Sequence, residues 1–172
     1  MTRPPADRRA ADGTVAVSPL SEHAFEALYP RLRRYAAIVG DADVDPDDLV
    51  QDALAAYLRR FAGSTGADDA EAYLKTAVLG LARNHRRDAG RRRRLTPPAE
   101  RSDVDVHYPS DVLAVLGDLG VEDRALLVLV DIEGHRVAEA ASVVGVSVLA
   151  ARARLSRARR RLRERLEAGE LA

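Results

Sequence analysis

The chain has 172 residues, 47% of them apolar, with only seven aromatic side chains, and its 27 acidic residues balance its 27 basic ones to a formal net charge of zero. A chain of this length buries one core or two small ones, and the scarcity of aromatics argues against a large sheet core. The absence of cysteine excludes disulfides and thiolate zinc sites. No stretch reaches the ~18 apolar residues of a membrane-spanning helix, and residues 1–20 hold no signal-peptide run, so a cytoplasmic protein with no membrane contact is expected.

Met1 to Leu20 is rich in Pro, Ala, Arg and Asp without periodicity and reads as a disordered tail. From Ser21, the apolar residues Phe25, Leu28, Leu32, Tyr35, Ala36 and Val39 recur at helical spacing up to Gly40. A second helix is predicted to start at Asp45, with Pro46 in the first helical position and Asp47 and Asp48 facing the positive end of the helix dipole. Its stripe is Leu49, Val50, Ala53, Leu54, Tyr57, Leu58 and Phe61. After the small-residue loop AGSTGA, a third helix opens near Asp68 or Asp69 and puts Leu74, Ala77, Val78 and Leu81 on its core side. It ends in RNHRRDAGRRRR, residues 83–94, with seven arginines.

Residues 89–110 carry Pro97, Pro98 and Pro109 and no stripe, which predicts a flexible linker. Two helices are expected at Asp111–Leu119 and Glu122–Ile132, then a short one at Arg136–Val144 with Val137, Ala140, Ala141 and Val144 on one face. Gly145 stands where that helix must stop, and Ser147 is suited to cap the next. The last helix has Val148, Ala151, Leu155, Ala158, Leu162 and Leu166 as its apolar stripe, and eight arginines between 152 and 165 outside it. Only Glu164 among them offers an internal partner, so most of these charges are expected to need an external one. A short helix, a glycine turn, a capped and basic second helix: this is a helix-turn-helix pattern, in which the second helix enters the DNA major groove. The fold class predicted is all-α. Two small helical domains, residues 21–88 and 111–168, would be joined by the flexible linker, with the C-terminal domain a helix-turn-helix.

The zero net charge hides two signs of surface. Asp41, Asp43, Asp45, Asp47, Asp48 and Asp52 fall within twelve residues that hold no Lys or Arg, while arginines gather at 83–94 and 152–165. One surface suits phosphates and the other a basic protein. The first three of those aspartates also match the opening ligand positions of a calcium loop. Pro46 stands in place of its turn glycine, however, and Asp52 in place of its bidentate glutamate, which favours a plain Asp-rich helix start. His23, His85, His107 and His135 show no paired spacing and read as surface or capping residues, so no metal site is expected. No glycine-rich phosphate loop, nucleophile elbow or paired histidine and carboxylate motif occurs, so neither an enzyme, nor a cofactor, nor a small-molecule substrate is expected.

The order FEALYPRLRRYA, DDLVQDALAAYLRRF, AYLKTAVLGLARNHRRDAGRRRR, linker, RALLVLVDIEGHRVAEAASVVGVSVLAARARLSRARRRLRERL resembles the extracytoplasmic-function group of bacterial sigma factors over about residues 21–166. DDLVQDA and RLSRARRRLRERL are its most specific pieces. The resemblance implies a transcription initiation factor whose first domain, region 2, binds the beta-prime clamp of core RNA polymerase and melts the minus 10 element. Its second, region 4, would bind the beta flap and read the minus 35 element of promoter DNA. By that resemblance Asp48, Leu49, Gln51 and Asp52 lie on the polymerase surface. Phe61 with Ser64 and Thr65 of the loop, and Arg83, Asn84, Arg86 and Arg87, serve the minus 10 element, where a flipped base would be captured. Ser147, Arg152, Ala153, Arg154 and Arg157 face the minus 35 element. An anti-sigma factor is a further expected partner.

The chain departs from the family pattern at Leu149-Ala150, where Gly-Thr is common, at Arg152-Ala153, where Lys-Ser is common, and at Ala140, where Ile is common. The first two changes remove hydroxyls from the start of the last helix. The family often has Trp in region 2 where this chain has Tyr57 and Tyr73, so melting would be weaker or lean on Phe61 and the loop, and Tyr57, Phe61 and Tyr73 read equally as plain core residues. Two other readings use the same features: a helix-turn-helix repressor, which needs no DDLVQDA surface, and a degenerate adaptor that binds polymerase without promoter selectivity.

Overall fold

The structure, a computed structural model, describes residues 20–61, 69–92 and 116–167, and every regular element among them is helical. Helix α1 spans Glu22–Val39, α2 Pro46–Arg60 and α3 Ala70–Arg92. Helix α4, Val121–Leu127, continues into a π-helical turn at Val128–Ile132, and α5, Val137–Val144, and α6, Val148–Glu167, complete the chain.

The expected starts are present. Ser21 caps α1 by accepting from the Ala24 N–H at 3.1 Å, and Asp45 caps α2 by accepting from the Asp47 N–H at 2.8 Å, with Pro46 in the first turn. Gly40 follows α1 because α2 crosses close there. A Cβ on Gly40 would lie 2.8 Å from the Ala36 carbonyl oxygen and 3.1 Å from Leu49 Cδ1.

Helices α1, α2 and α3 pack around Leu32, Tyr35, Ala36, Val39, Leu49, Val50, Ala53, Tyr57, Leu74 and Val78, all buried. Leu58, placed on the core stripe by its spacing, is instead about half exposed, because the stripe is broader than the groove between α1 and α3. Helix α3 runs on to Arg92 with Ala89 buried, so the helix extends past the point where the linker is expected to begin. Of the helix expected at Asp111–Leu119, Leu116 and Gly117 are helical and the residues before them lie outside the described ones, as do the tail at 1–19 and the loop residues Ser64 and Thr65.

The second helical set, α4 to α6, has its own core of Leu126, Leu129, Ala140, Ala141, Val144, Ala151, Leu155 and Ala158. It packs directly on the first, with α4 against α1 and α3, and α5 against α3. Two cations are buried at this junction, which nothing in the periodicity indicates. Arg124, 2% exposed, donates to the Val39 carbonyl oxygen at 2.8 Å and to Asp41 at 2.9 Å. Lys75, 1% exposed, lies 2.6 Å from Glu71 and 2.5 Å from Glu133. Buried charges are tolerated only when paired and hydrogen-bonded; Lys75 is so through Nζ and Arg124 through Nη2, while Arg124 Nε has no hydrogen-bond partner among the described residues.

Candidate nucleic-acid and protein interfaces

Capping and packing divide the acidic segment into two groups. Asp47 accepts from the Tyr29 hydroxyl at 2.6 Å and from Arg33 at 2.8 Å, and Asp41 pairs with Arg124. The window itself holds no basic residue, and the partners of these two aspartates come from elsewhere in the chain, on α1 and α4. Asp43, Asp45, Asp48 and Asp52 remain exposed and, with Gln51, Val44 and His85, line a groove of about 390 Å³. Leu49 does not belong to this surface: it is buried against α1 beneath Gly40, because it falls on the core face of α2. Of the three aspartates that match the opening of a calcium loop, Asp41 is engaged in an ion pair and Asp45 as a helix cap.

Phe61 is half-buried in an aromatic trio, its ring centroid 4.9 Å from Tyr57 and 5.2 Å from Tyr73. Such edge-on and tilted contacts hold a ring in place, so Phe61 is anchored at the mouth of the loop that follows it.

The basic end of α3 faces two ways. Asn84 and Arg87 are exposed and bonded to each other at 2.6 Å. Arg83 instead reaches across to the second helical set, donating to Glu122 at 2.8 Å and to the Val144 carbonyl oxygen at 2.7 Å, and Arg86 donates to the Leu119 carbonyl oxygen at 3.0 Å. Burial raises the Glu122 carboxyl, but a hydrogen bond from its own backbone N–H and the Arg83 side chain outweigh it, and its pKa is lowered.

The π-helical turn shapes the other side of the junction. The Glu133 N–H bonds back to the Val128 carbonyl oxygen at 2.9 Å, the wide spacing of a π turn, and Gly134 follows at φ 75°. This presents Glu133 and His135 to α3, where with Glu71 they form a set of metal-ligand chemistry. Lys75 Nζ lies among them, 3.4 Å from His135 Nε2, so the positive charge at this cluster is the protein's own.

The turn between α5 and α6 follows the sequence closely. Gly145 takes φ 74°, its N–H bonds to the Ala141 carbonyl oxygen at 2.9 Å, and Ser147 Oγ accepts from the Ala150 N–H at 3.1 Å. Helix α6 buries Ala151, Leu155 and Ala158 and turns Ser147, Arg152, Ala153 and Arg157 outward. Arg154 departs from that group, because it points back along the domain and donates to Asp123 at 2.9 Å. Arg159 likewise pairs with Asp131, Arg165 with Asp118 and Arg160 with Glu164. Four of the eight arginines thus have internal partners, three of them on other segments that a reading of the helix alone does not include. Arg152, Arg157, Arg161 and Arg163 form no ion pair among the described residues. Val148, expected on the core stripe, is 38% exposed, and Leu149 beside it is 77% exposed.

Residues 24–92 match the family model of sigma-70 region 2, and residues 110–162 that of sigma-70 region 4. Two relatives, each the ECF RNA polymerase sigma factor SigM, from Mycobacterium tuberculosis strains Erdman and H37Rv, are 33% identical over 153 residues, 81% of this chain and 76% of theirs. Among solved structures, the sigma factor RpoE bound to the anti-sigma factor NepR, from Bartonella quintana, aligns with a TM-score of 0.67 at 24% identity, over 85% of this chain and 96% of that one. CnrH in complex with the cytosolic domain of CnrY aligns with a TM-score of 0.58 at 29% identity, over 86% and 90%.

The chain belongs to the extracytoplasmic-function sigma factors of RNA polymerase. It is a promoter-directing transcription initiation factor, and the expected family and all-α fold class both hold. Region 2 ends where α3 ends, at Arg92, and the region 4 match contains α4, α5 and most of α6. Within this sigma factor the surfaces left open are the acidic groove of α2, the Asn84–Arg87 face of α3 and the outward face of α6. Lys75, Arg124 and Glu122 are prominent in the structure and carry no local signal in the sequence, whereas Leu149 marks a departure from the family pattern. Only Leu149 had a local signal, as an apolar residue next to a stripe position that already had Val148.

Proposed function

We propose that this sigma factor binds core RNA polymerase through the acidic groove at Asp48, Gln51 and Asp52, and reads the minus 35 element with the outward face of α6. Asn84 and Arg87, with Phe61 and the loop after it, act on the minus 10 element. The observation that carries this reading is the outward face of α6. In a helix-turn-helix with its turn glycine and cap in place, Arg152 and Arg157 are exposed and without an ion pair among the described residues, on the helix that enters the major groove. Phosphates and guanine edges are the partners that such arginines fit. The protein works by binding, not catalysis, in the cytoplasm, and an anti-sigma factor is its expected inhibitor.

Arg83 and Arg86 enter this reading on different terms. Arg83 already donates to Glu122 and to the Val144 carbonyl oxygen, so it reaches promoter phosphates fully only when the two helical sets separate, whereas the exposed Arg86 gives one donor to the Leu119 carbonyl oxygen and keeps others for them.

Run-off transcription by core polymerase with and without the full chain, on DNA from upstream of its own coding sequence, tests the proposal. A discrete product that requires the chain is expected. Core that fails to bind the chain, or that gives the same products without it, overturns the reading.

A further inference from the structure

We propose that Leu149 is a base-reading residue, which recognises the 5-methyl group of thymine in the minus 35 element. The inference rests on the proposed placement of α6 in the major groove. Leu149 occupies the first turn of α6, the part of a recognition helix that meets base edges. It is 77% exposed, the most exposed of the large apolar side chains among the described residues, and lies on the side of the helix away from Ala151, Leu155 and Ala158, which hold α6 on its domain. Arg152 and Ala153, three and four residues on, are the next side chains along the same face, and both are exposed. The small Ala153 leaves room for Leu149 to approach a surface, and Arg152 supplies the charge that holds a phosphate backbone or a guanine beside it.

A leucine has no donor or acceptor, so it cannot distinguish base pairs by hydrogen bonding. The one apolar feature that the major groove displays is the thymine methyl. Ser147, next to it, uses its hydroxyl as an acceptor for the Ala150 N–H and is thereby fixed in place. The first turn thus offers one large, strongly exposed apolar group, with Val148 38% exposed beside it and the guanidinium of Arg152 three residues on. That combination fits a methyl-bearing base edge in a polyanion better than it fits an apolar protein groove. The other strongly exposed apolar residues, Leu58 and Ile132, sit on α2 and the π turn, away from any cluster of unpaired arginines on α6.

The test uses holoenzyme assembled from core polymerase and the full chain, on the promoter found by the run-off assay. Each thymine of its minus 35 element, on either strand, is replaced singly by deoxyuridine, which removes only the methyl. Promoter occupancy is expected to fall about fourfold at one or two positions, the weight of one methyl taken out of water. Holoenzyme carrying Leu149→Ala is expected to bind thymine and uracil versions of those positions equally, at the weaker level. A promoter-dependent product with a flat uracil scan overturns the proposal alone. So does a sensitive position that stays sensitive in Leu149→Ala, which assigns the methyl to another residue. Loss of core assembly by Leu149→Ala, with an unchanged uracil profile in what remains, assigns the patch to a protein contact instead. A chain that yields no promoter-dependent product overturns the sigma reading itself, and this proposal with it.

Discussion

Arg154 is held by Asp123, guanidinium to carboxylate at 2.9 Å, across the groove between α6 and α4. The pair ties α6 to the helix beneath it, and it removes Arg154 from the outward face where Arg152 and Arg157 stand.

Arg152→Ala and Arg154→Ala are therefore expected to act differently. Arg152→Ala should relax preference at one or two minus 35 positions, by about 1 to 3 kcal/mol if its contact is bidentate to guanine. Arg154→Ala should leave the preference profile unchanged and lower stability by no more than about 1 kcal/mol, since both partners are partly solvated. A panel of single-base promoter variants with holoenzyme, beside thermal unfolding of the free chain, separates the two. A changed base preference in Arg154→Ala would show that the ion pair is given up on DNA.

The acidic groove yields a sharper prediction. Asp48 and Asp52 lie one helical turn apart, exposed and outside the ion pairs that use Asp41 and Asp47. Asp48→Arg with Asp52→Arg should weaken association with core polymerase at least a hundredfold, the result of setting about 3 kcal/mol of like-charge contact against a basic partner. Helical content should hold, with a loss of about 0.5 kcal/mol because Asp48 sits in the first turn of α2 at the positive end of its dipole. Competition binding to core and far-ultraviolet circular dichroism read the two effects. Normal assembly of the double variant would move the polymerase surface elsewhere.

What the sequence made legible is what short-range chemistry decides. Ser21, Asp45, Gly145 and Ser147 act on backbone groups within a few residues, so their roles follow from the letters around them. The stripe of α1 likewise follows its own periodicity, whereas α3 buries Leu79 and Ala82, outside its expected stripe, and leaves Ala77 and Leu81 only partly buried. Leu49 is the counterexample within an element. The resemblance assigned it to a surface, while its place in the stripe of α2 already put it in the core. Lys75 and Arg124 were illegible for a different reason: their partners Glu133 and Asp41 are 58 and 83 residues away, brought close only by the packing of α4 and the π turn on the first three helices. A separation of 39 residues likewise hid Glu122 as the partner of Arg83. Charges counted as free in a local window had partners in another, and only the fold decides which remain for DNA.

The Arg83–Glu122 pair predicts a pH dependence. The folded Glu122 pKa is lowered, so the pair's contribution is fully present above the unfolded glutamate value of about 4.3 and is lost as pH falls through the lower folded value. The melting-temperature gap between the parent chain and Glu122→Gln should therefore be steady from about pH 5 to 7 and shrink below about pH 4. Thermal melts over that range check it. A gap that stays constant into acid would show that the carboxylate's charge contributes nothing to the junction.

Lys75 provides the strongest test of how the two helical sets are joined. Its ammonium lies between Glu71 of α3 and Glu133 of the π turn, and Glu71 also receives Arg31 of α1 at 2.7 Å. Removing the lysine leaves two carboxylates close together with one cation between three elements. Lys75→Met keeps the stem's apolar volume and should still cost about 3 to 5 kcal/mol, the range for breaking a buried pair by deleting one partner. Adding Glu133→Gln removes the carboxylate that would then keep only His135, 3.2 Å away, and should return part of that loss, while Arg31 continues to neutralise Glu71. Glu133→Gln alone should cost less than Lys75→Met, because Lys75 keeps Glu71 as a partner at 2.6 Å. Urea unfolding of the three variants and the parent forms a double-mutant cycle. Additive losses in that cycle would mean that Lys75 and Glu133 do not meet in solution, and that the two helical sets are held together by Arg83, Arg124 and the apolar contacts instead.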